Sequence, residues 1–257
     1  MKQHIPTSTR VQAGGASFTT LVISGLLAAA GSLYFFTHSQ STITTTTPEP
    51  SVTAQQQSTT IVPAKYPPHQ NITATVFWVG EGADSSNDFI HNRSSAWMSD
   101  WVTAYGGIDD PNNRCGYLPC DFTPNENSFY FALPFGDNTE TGRKSAKELQ
   151  IIPWYDEKIP ENASLLKNRW IKVAHNDKTA YGQWEDVGPF SENDGAYVFG
   201  SAQPTERRAG LDLSPAFADA LGVDGRAVVT WQFIDERDVP DGPWKKVITR
   251  SDPRYGQ

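Results

Sequence analysis

The sequence predicts a mainly β fold, and three observations carry that prediction. Alternating apolar and polar residues recur at 72–79, 170–174 and 179–186, and residues 227–234 are rich in Val, Trp and Phe. Turn-forming residues break these runs at Asn176-Asp177-Lys178, Gly188-Pro189 and Gly222. Helical patterning is confined to short segments at 96–105, 145–149 and 215–221.

The N-terminal quarter is predicted to lie outside that fold. Residues 1–17 are polar, with Lys2 and Arg10 as their charged side chains, and are expected to be cytoplasmic. Residues 18–36 contain no charge, and a bilayer-spanning helix needs about 20 such residues. They read as a signal anchor, with Glu49 the first acid beyond it. The alternative is a signal peptide cleaved near Ala28–Ala30, which would secrete the protein. Residues 37–68 are rich in Ser, Thr, Pro and Gln and read as a disordered linker. Residues 69–257 are then one folded domain, periplasmic or extracellular, on a single-pass membrane protein.

Within that domain, residues 72–79 form the first expected strand. Trp97, Trp101 and Tyr105 recur at helical spacing, and Gly106-Gly107 stops the helix they predict. Asp109-Asp110 reads as a surface turn. Residues 125–135 supply another strand through Phe129, Phe131 and Leu133. Residues 138–167 are polar and read as an insertion beside a cleft. The hairpin at 170–186 follows. Ser214 is placed to cap a helix with Pro215 in its first turn, Phe217, Ala218 and Leu221 on its apolar face, and Gly222 at its end. Residues 227–234 return as a strand, and Trp244 with Val247-Ile248 is expected to add an edge strand.

Charge and cysteine usage narrow the function. The chain of 257 residues carries a net charge of −8. Residues 1–68 hold Lys2, Arg10 and Lys65 against Glu49, so the acid excess belongs to the domain. No nucleic-acid partner is expected, because that needs a basic footprint. Cys115 and Cys120 lack further Cys or His at metal spacing, so no metal and no cofactor is expected. Export favours a disulfide between them; two reduced thiols is the alternative. No Ser/His/Asp order with elbow glycines and no phosphate loop occurs.

Two carboxylates sit where the pattern breaks. Asp186 lies where a strand meets Gly188-Pro189, and Asp212 lies just before the Ser214 cap. Either one alternatively bonds local amides as a turn cap. The surrounding residues carry a resemblance. Asp186-Val187-Gly188-Pro189-Phe190, then Gly210-Leu211-Asp212-Leu213-Ser214-Pro215-Ala216, then Ala220-Leu221-Gly222, resembles the rare lipoprotein A (RlpA-like) double-psi β-barrel family. That family is related in fold to expansins and family-45 endoglucanases. Ala132-Leu133-Pro134-Phe135-Gly136 resembles its Leu-Pro-Phe-Gly turn. The likeness spans residues 168–234 and extends more loosely back to 72. It implies a six-stranded double-psi β-barrel with helical insertions, acting on polysaccharide such as peptidoglycan or another cell-wall glycan.

The resemblance also implies roles. Asp212 matches the family acid that protonates a glycosidic oxygen, and Asp186 lies beside it in the same groove. Thr75-Val76-Phe77-Trp78 resembles the first strand of family-45 endoglucanases, in which a catalytic Asp follows. Here Val79 follows, and Glu81 and Asp84 are the nearest acids. Asp137, a third acid at a strand end, or Glu81 is the candidate base for hydrolysis. Lytic transglycosylation needs only one carboxyl. Trp78, Tyr130 and Trp184 are candidate sugar platforms, each equally readable as core. The alternative to cleavage is a non-catalytic, expansin-like glycan-binding or wall-loosening module.

Overall fold

The computed structural model describes residues 65–251, apart from 86, 140 and 141. The predicted membrane span at 18–36 and most of the predicted linker lie outside the described residues. Among the described residues, no helix is long and apolar enough to cross a membrane.

The elements in chain order are β1 (His69–Val76), α1 (Trp101–Tyr105), β2 (Arg114–Cys115), β3 (Leu118–Pro119) and β4 (Tyr130–Leu133). They continue with β5 (Asn138–Thr139), β6 (Gly142–Arg143), α2 (Ala146–Leu149), β7 (Trp170–His175) and β8 (Lys178–Val187). Last come α3 (Gly195–Val198), β9 (Leu211–Leu213), α4 (Pro215–Leu221) and β10 (Arg226–Ile234). Six strands close into a barrel in the order β1-β10-β7-β8-β4-β9. The pairs β1/β9 and β4/β8 are parallel; the other four contacts are antiparallel. Closure leaves the barrel no unpaired edge.

The β7–β8 hairpin follows from its turn. His175 pairs with Lys178 across Asn176-Asp177, and Asn176 takes the left-handed backbone (φ 53°) that Asn tolerates. Helix α4 forms as its flanks predict. The Ser214 hydroxyl accepts from the Phe217 amide at 3.2 Å, and Gly222 ends the helix at φ 69°. Such a cap is worth about 1 kcal/mol. The helix seats Phe217 against β8 at Gly182, where an added Cβ would lie 2.2 Å from the Phe129 carbonyl oxygen and 2.4 Å from the Phe217 ring. Inward-facing residues of the six strands, including Phe131, Ile171, Trp184, Leu213 and Trp231, fill the barrel. A second buried cluster on the outer side of β4 joins Phe77, Val79, Trp101, Tyr105, Tyr130 and Ala132, and α1 covers it.

Several expectations are corrected. Helix α1 begins only at Trp101, where the Asp100 side chain accepts from the Thr103 amide at 3.2 Å. Trp97 is instead buried from a turn closed by bonds between Ser95 and Met98. Asp109 is buried rather than in a surface turn, because it accepts from Tyr130 and pairs with Arg114. Residues 247–248 form no strand; Trp244 sits in a 3-10 turn at Pro243–Lys245, and the chain is fastened by the Thr249 amide donating to Gln183 at 2.8 Å. The expected disulfide Cys115–Cys120 is present and closes the β2–β3 ribbon.

Candidate active site

The site is built on four adjacent barrel strands. On β9, Leu211 and Leu213 point into the barrel and are wholly buried, so alternation turns Asp212 outward, where it is part-exposed. Across β9, Asp212 registers with Thr75 of β1 on one side and Ala132 of β4 on the other. Ala132 registers in turn with Asp186 of β8. Thr75, Asp212, Ala132 and Asp186 therefore form one row across the outer barrel surface. Ala132, with its small side chain, is the floor between two carboxylates.

A β-bulge sets this row. Phe131 pairs with Trp184, but the next residue, Ala132, pairs with Asp186, so β8 takes two steps where β4 takes one. Such bulges re-aim side chains. Here the bulge puts Asp186, not Glu185, opposite Ala132. Glu185 turns to a different partner, the buried Lys167 ammonium 2.6 Å away, which also lies 3.6 Å from Glu126.

Each carboxyl is held distinctively. Asp186 Oδ1 accepts from the amides of Ala96 and Val187, both at 2.8 Å. Burial pushes its pKa up to about 7 against those two bonds, and the charge of Asp212 adds to the rise. Asp212 accepts from the Thr75 hydroxyl. It does not cap α4, since Ser214 does that. Burial lifts its pKa to about 6 despite the Thr75 bond, with Glu81 contributing. Glu81 is itself buried, and that burial raises its pKa; its carboxylate accepts from the Asn92 side-chain amide at 2.7 Å. Glu81 thus acts on Asp212 and Asp212 on Asp186, and Asp186 is the carboxyl of the pair that holds its proton to the higher pH.

The remaining candidates are placed as follows. Asp137 is fully buried, accepting from Trp97 Nε1 at 3.0 Å, Ser164 Oγ at 2.9 Å and the Leu165 amide, so it fastens the insertion to the barrel. Tyr130 and Trp184 have no exposed surface and present no face to a ligand: Tyr130 bridges Val79 and Asp109, and Trp184 fills the barrel. Trp78 is half-buried. Among the described residues, no three His, Cys, Asp or Glu side chains are grouped to hold a metal ion.

Sequence reading missed Thr75, Ala96 and Ala132 as site residues. Thr75 carried a signal, as the first residue of Thr75-Val76-Phe77-Trp78. Ala96 carried none, because it acts through its backbone amide, itself steadied by Asn138 bonding its carbonyl at 2.7 Å. Phe89 and Phe190, neither of them a sequence-predicted sugar platform, are exposed. Both adopt left-handed backbone, at φ 60° and 61°, and Asp88, next to Phe89, pairs with Arg208 at 2.5 Å. The Arg208 guanidinium lies 3.8 Å over the Phe190 ring.

No protein-family model matches the chain, and no curated protein matches it. Among solved structures, it is similar to the Streptomyces papain inhibitor (SPI), with 16% identity over 66% of this chain and 96% of that one, at a TM-score of 0.29. A score that low supports no inference about function.

Proposed function

We propose that the chain is an exported, membrane-tethered RlpA-like double-psi β-barrel that cleaves a cell-wall polysaccharide. The observation that carries the reading is the shared register of Asp186 and Asp212 on Ala132. Asp212, the more exposed of the two, is the general acid. It gives its proton to the glycosidic oxygen as the carbon–oxygen bond breaks and the electron pair leaves with that oxygen. The oxocarbenium-like carbon is then captured by the sugar's own hydroxyl, giving an anhydro product, or by water, and in either case the attacking hydroxyl's proton returns to the Asp212 carboxylate. Burial raises Asp212 to about 6, so it carries its proton in mildly acidic solution, with Asp186, raised to about 7, protonated beside it. Phe89 and Phe190, on the loops that follow Glu81 and Asp186, are exposed rings available to sugar faces.

One observation favours a second, non-catalytic glycan-binding reading. Val79 stands where the family-45 endoglucanases that this strand resembles carry an acid, and it is buried, its amide bonded to the Tyr130 hydroxyl at 3.0 Å. The test is to incubate the detergent-solubilised full chain with purified peptidoglycan and with cellulose, and to analyse released fragments by mass spectrometry. Cleavage predicts fragments from the wild type and none from Asp212→Asn, with pull-down on the glycan retained by both. Pull-down without fragments selects the binding module. Neither pull-down nor fragments on any glycan rejects both readings.

A further inference from the structure

Where β7 begins and β10 ends, a cavity of about 310 Å³ opens among Tyr66, Trp154, Arg169, Trp170, Phe233 and Asp235. These are the two barrel strands that take no part in the Asp186–Asp212 row. The volume lies at the lower end of the roughly 300–1,000 Å³ typical of small-molecule sites. Its walls are aromatic: Trp154 meets Phe233 edge-on at 4.9 Å and Tyr66 at 5.9 Å.

Trp170 and Arg169 line this cavity, and each has hydrogen-bonding capacity that no protein group takes up among the described residues. Trp170 is 2% exposed, and its indole N–H has no hydrogen-bond partner. A buried donor left unpaired is unusual enough to require an explanation. Arg169 is half-buried, with its guanidinium 4.7 Å over the Trp154 ring, and its Nε donates to the Leu165 carbonyl at 3.3 Å. No carboxylate lies within ion-pair distance of it among the described residues; burial lowers its pKa, against the nearby Tyr66 and Asp235. The neighbouring charges are already matched. Asp235 is held by Lys65 at 2.7 Å and by the Tyr66 hydroxyl at 3.1 Å, Glu236 by Arg250, and Lys167 by Glu185.

We propose that this cavity binds a small organic carboxylate, held by the Arg169 guanidinium and the Trp170 indole N–H, with its carbon skeleton against the rings of Trp154 and Tyr66. A planar guanidinium matches a carboxylate in geometry as well as charge. Asp235 acts on Arg169 from nearby but is itself held by Lys65 and Tyr66, so a single ligand charge is matched by the guanidinium, whereas a doubly charged ligand would be repelled by Asp235 and Glu236. Two sources carry this chemistry: an acidic sugar, or the C-terminal carboxylate of a short peptide. The site stands independently of the glycan-cleaving reading.

The test is isothermal titration calorimetry on the detergent-solubilised full chain. The probes are glucuronate, N-acetylmuramate and alanyl-alanine, each against a neutral counterpart: glucose, N-acetylglucosamine and alanyl-alanine amide. At least one carboxylate is expected to bind about tenfold or more tighter than its counterpart, as a charge-assisted bond implies. Preference for the acidic sugars assigns the first source, and preference for the dipeptide assigns the second. Trp170→Phe, which removes only the N–H and its ring, weakens that binding severalfold; Arg169→Gln abolishes it and Arg169→Lys recovers part. Asp212→Asn leaves it unchanged. Carboxylates that bind no tighter than their neutral counterparts overturn the proposal. So does unchanged binding by Trp170→Phe and Arg169→Gln variants whose circular dichroism matches the wild type.

Discussion

Asp186 and Asp212 register against the same residue, Ala132, one across a parallel strand pair and the other across an antiparallel pair. Only a sheet of mixed direction with a bulge in β8 brings them together in this way. The consequence is electrostatic: Asp186 is buried, Asp212 is largely withdrawn from water, and Asp212 raises the pKa of Asp186. A chain selected only for stability has no reason to keep two such groups side by side.

That arrangement has a stability cost that depends on pH. Unfolded aspartates titrate near 3.9, whereas Asp186 is raised to about 7 and Asp212 to about 6. Between those limits the folded chain holds more protons than the unfolded chain, so stability falls as pH rises from about 4 to 7. His69, stacked on Trp231 and pushed down to about 4 by burial, acts the other way, but only below its unfolded value of about 6.5. Asn at position 186 keeps an oxygen for the Ala96 and Val187 amides and cannot ionise. Asp186→Asn is therefore expected to be more stable than wild type at pH 8, by on the order of 1–3 kcal/mol, with the gap closing by pH 5. Thermal melts at the two pH values check this. A variant less stable at both would mean that the charge gains more from those two amides than its burial costs.

Much of this fold was legible in the sequence, and the reasons are local. The β7–β8 hairpin follows from two alternating runs around Asn176, and α4 from Ser214, Pro215 and Gly222, because caps and turns act within a few residues. Trp97 shows where locality fails. Its spacing with Trp101 and Tyr105 matched a helix, yet its indole reaches Asp137 from a turn. The same contact explains Asp137, which the sequence could show as an acid at a strand end but not as the anchor of residues 164–165. Tyr130 and Trp184 were readable as platform or core, and the choice depended on what packs against them from far along the chain. The bulge that places Asp186 rather than Glu185 beside Ala132 has no local signature.

Tyr130 is a structural tie. Its hydroxyl accepts from the Val79 amide at 3.0 Å and donates to Asp109 at 2.9 Å, both buried. Tyr130→Phe leaves both without that partner and is expected to cost about 1–3 kcal/mol. Urea denaturation checks it, with a lower midpoint at unchanged slope. Glycan pull-down is expected to be unaffected; its loss without a change in stability would return Tyr130 to the ligand surface.

The disulfide closes a short loop, with Cys115 and Cys120 five apart in sequence. For a loop of that length the chain-entropy model gives about 2 kcal/mol of stabilisation. The double replacement Cys115→Ala, Cys120→Ala is expected to lower stability by about that amount. Reducing agent should destabilise the wild type and leave the double variant unchanged in the same denaturation assay.

The coupling of Asp186 and Asp212 is the claim on which the functional reading depends, and carboxyl-detected NMR titration measures it directly. In the wild type the pair is predicted to titrate with apparent values near 6 and 7. In Asp212→Asn the Asp186 value is predicted to fall, because the neighbouring charge is gone. Two carboxyls titrating near 3.9, or an Asp186 indifferent to the loss of Asp212, would contradict the account.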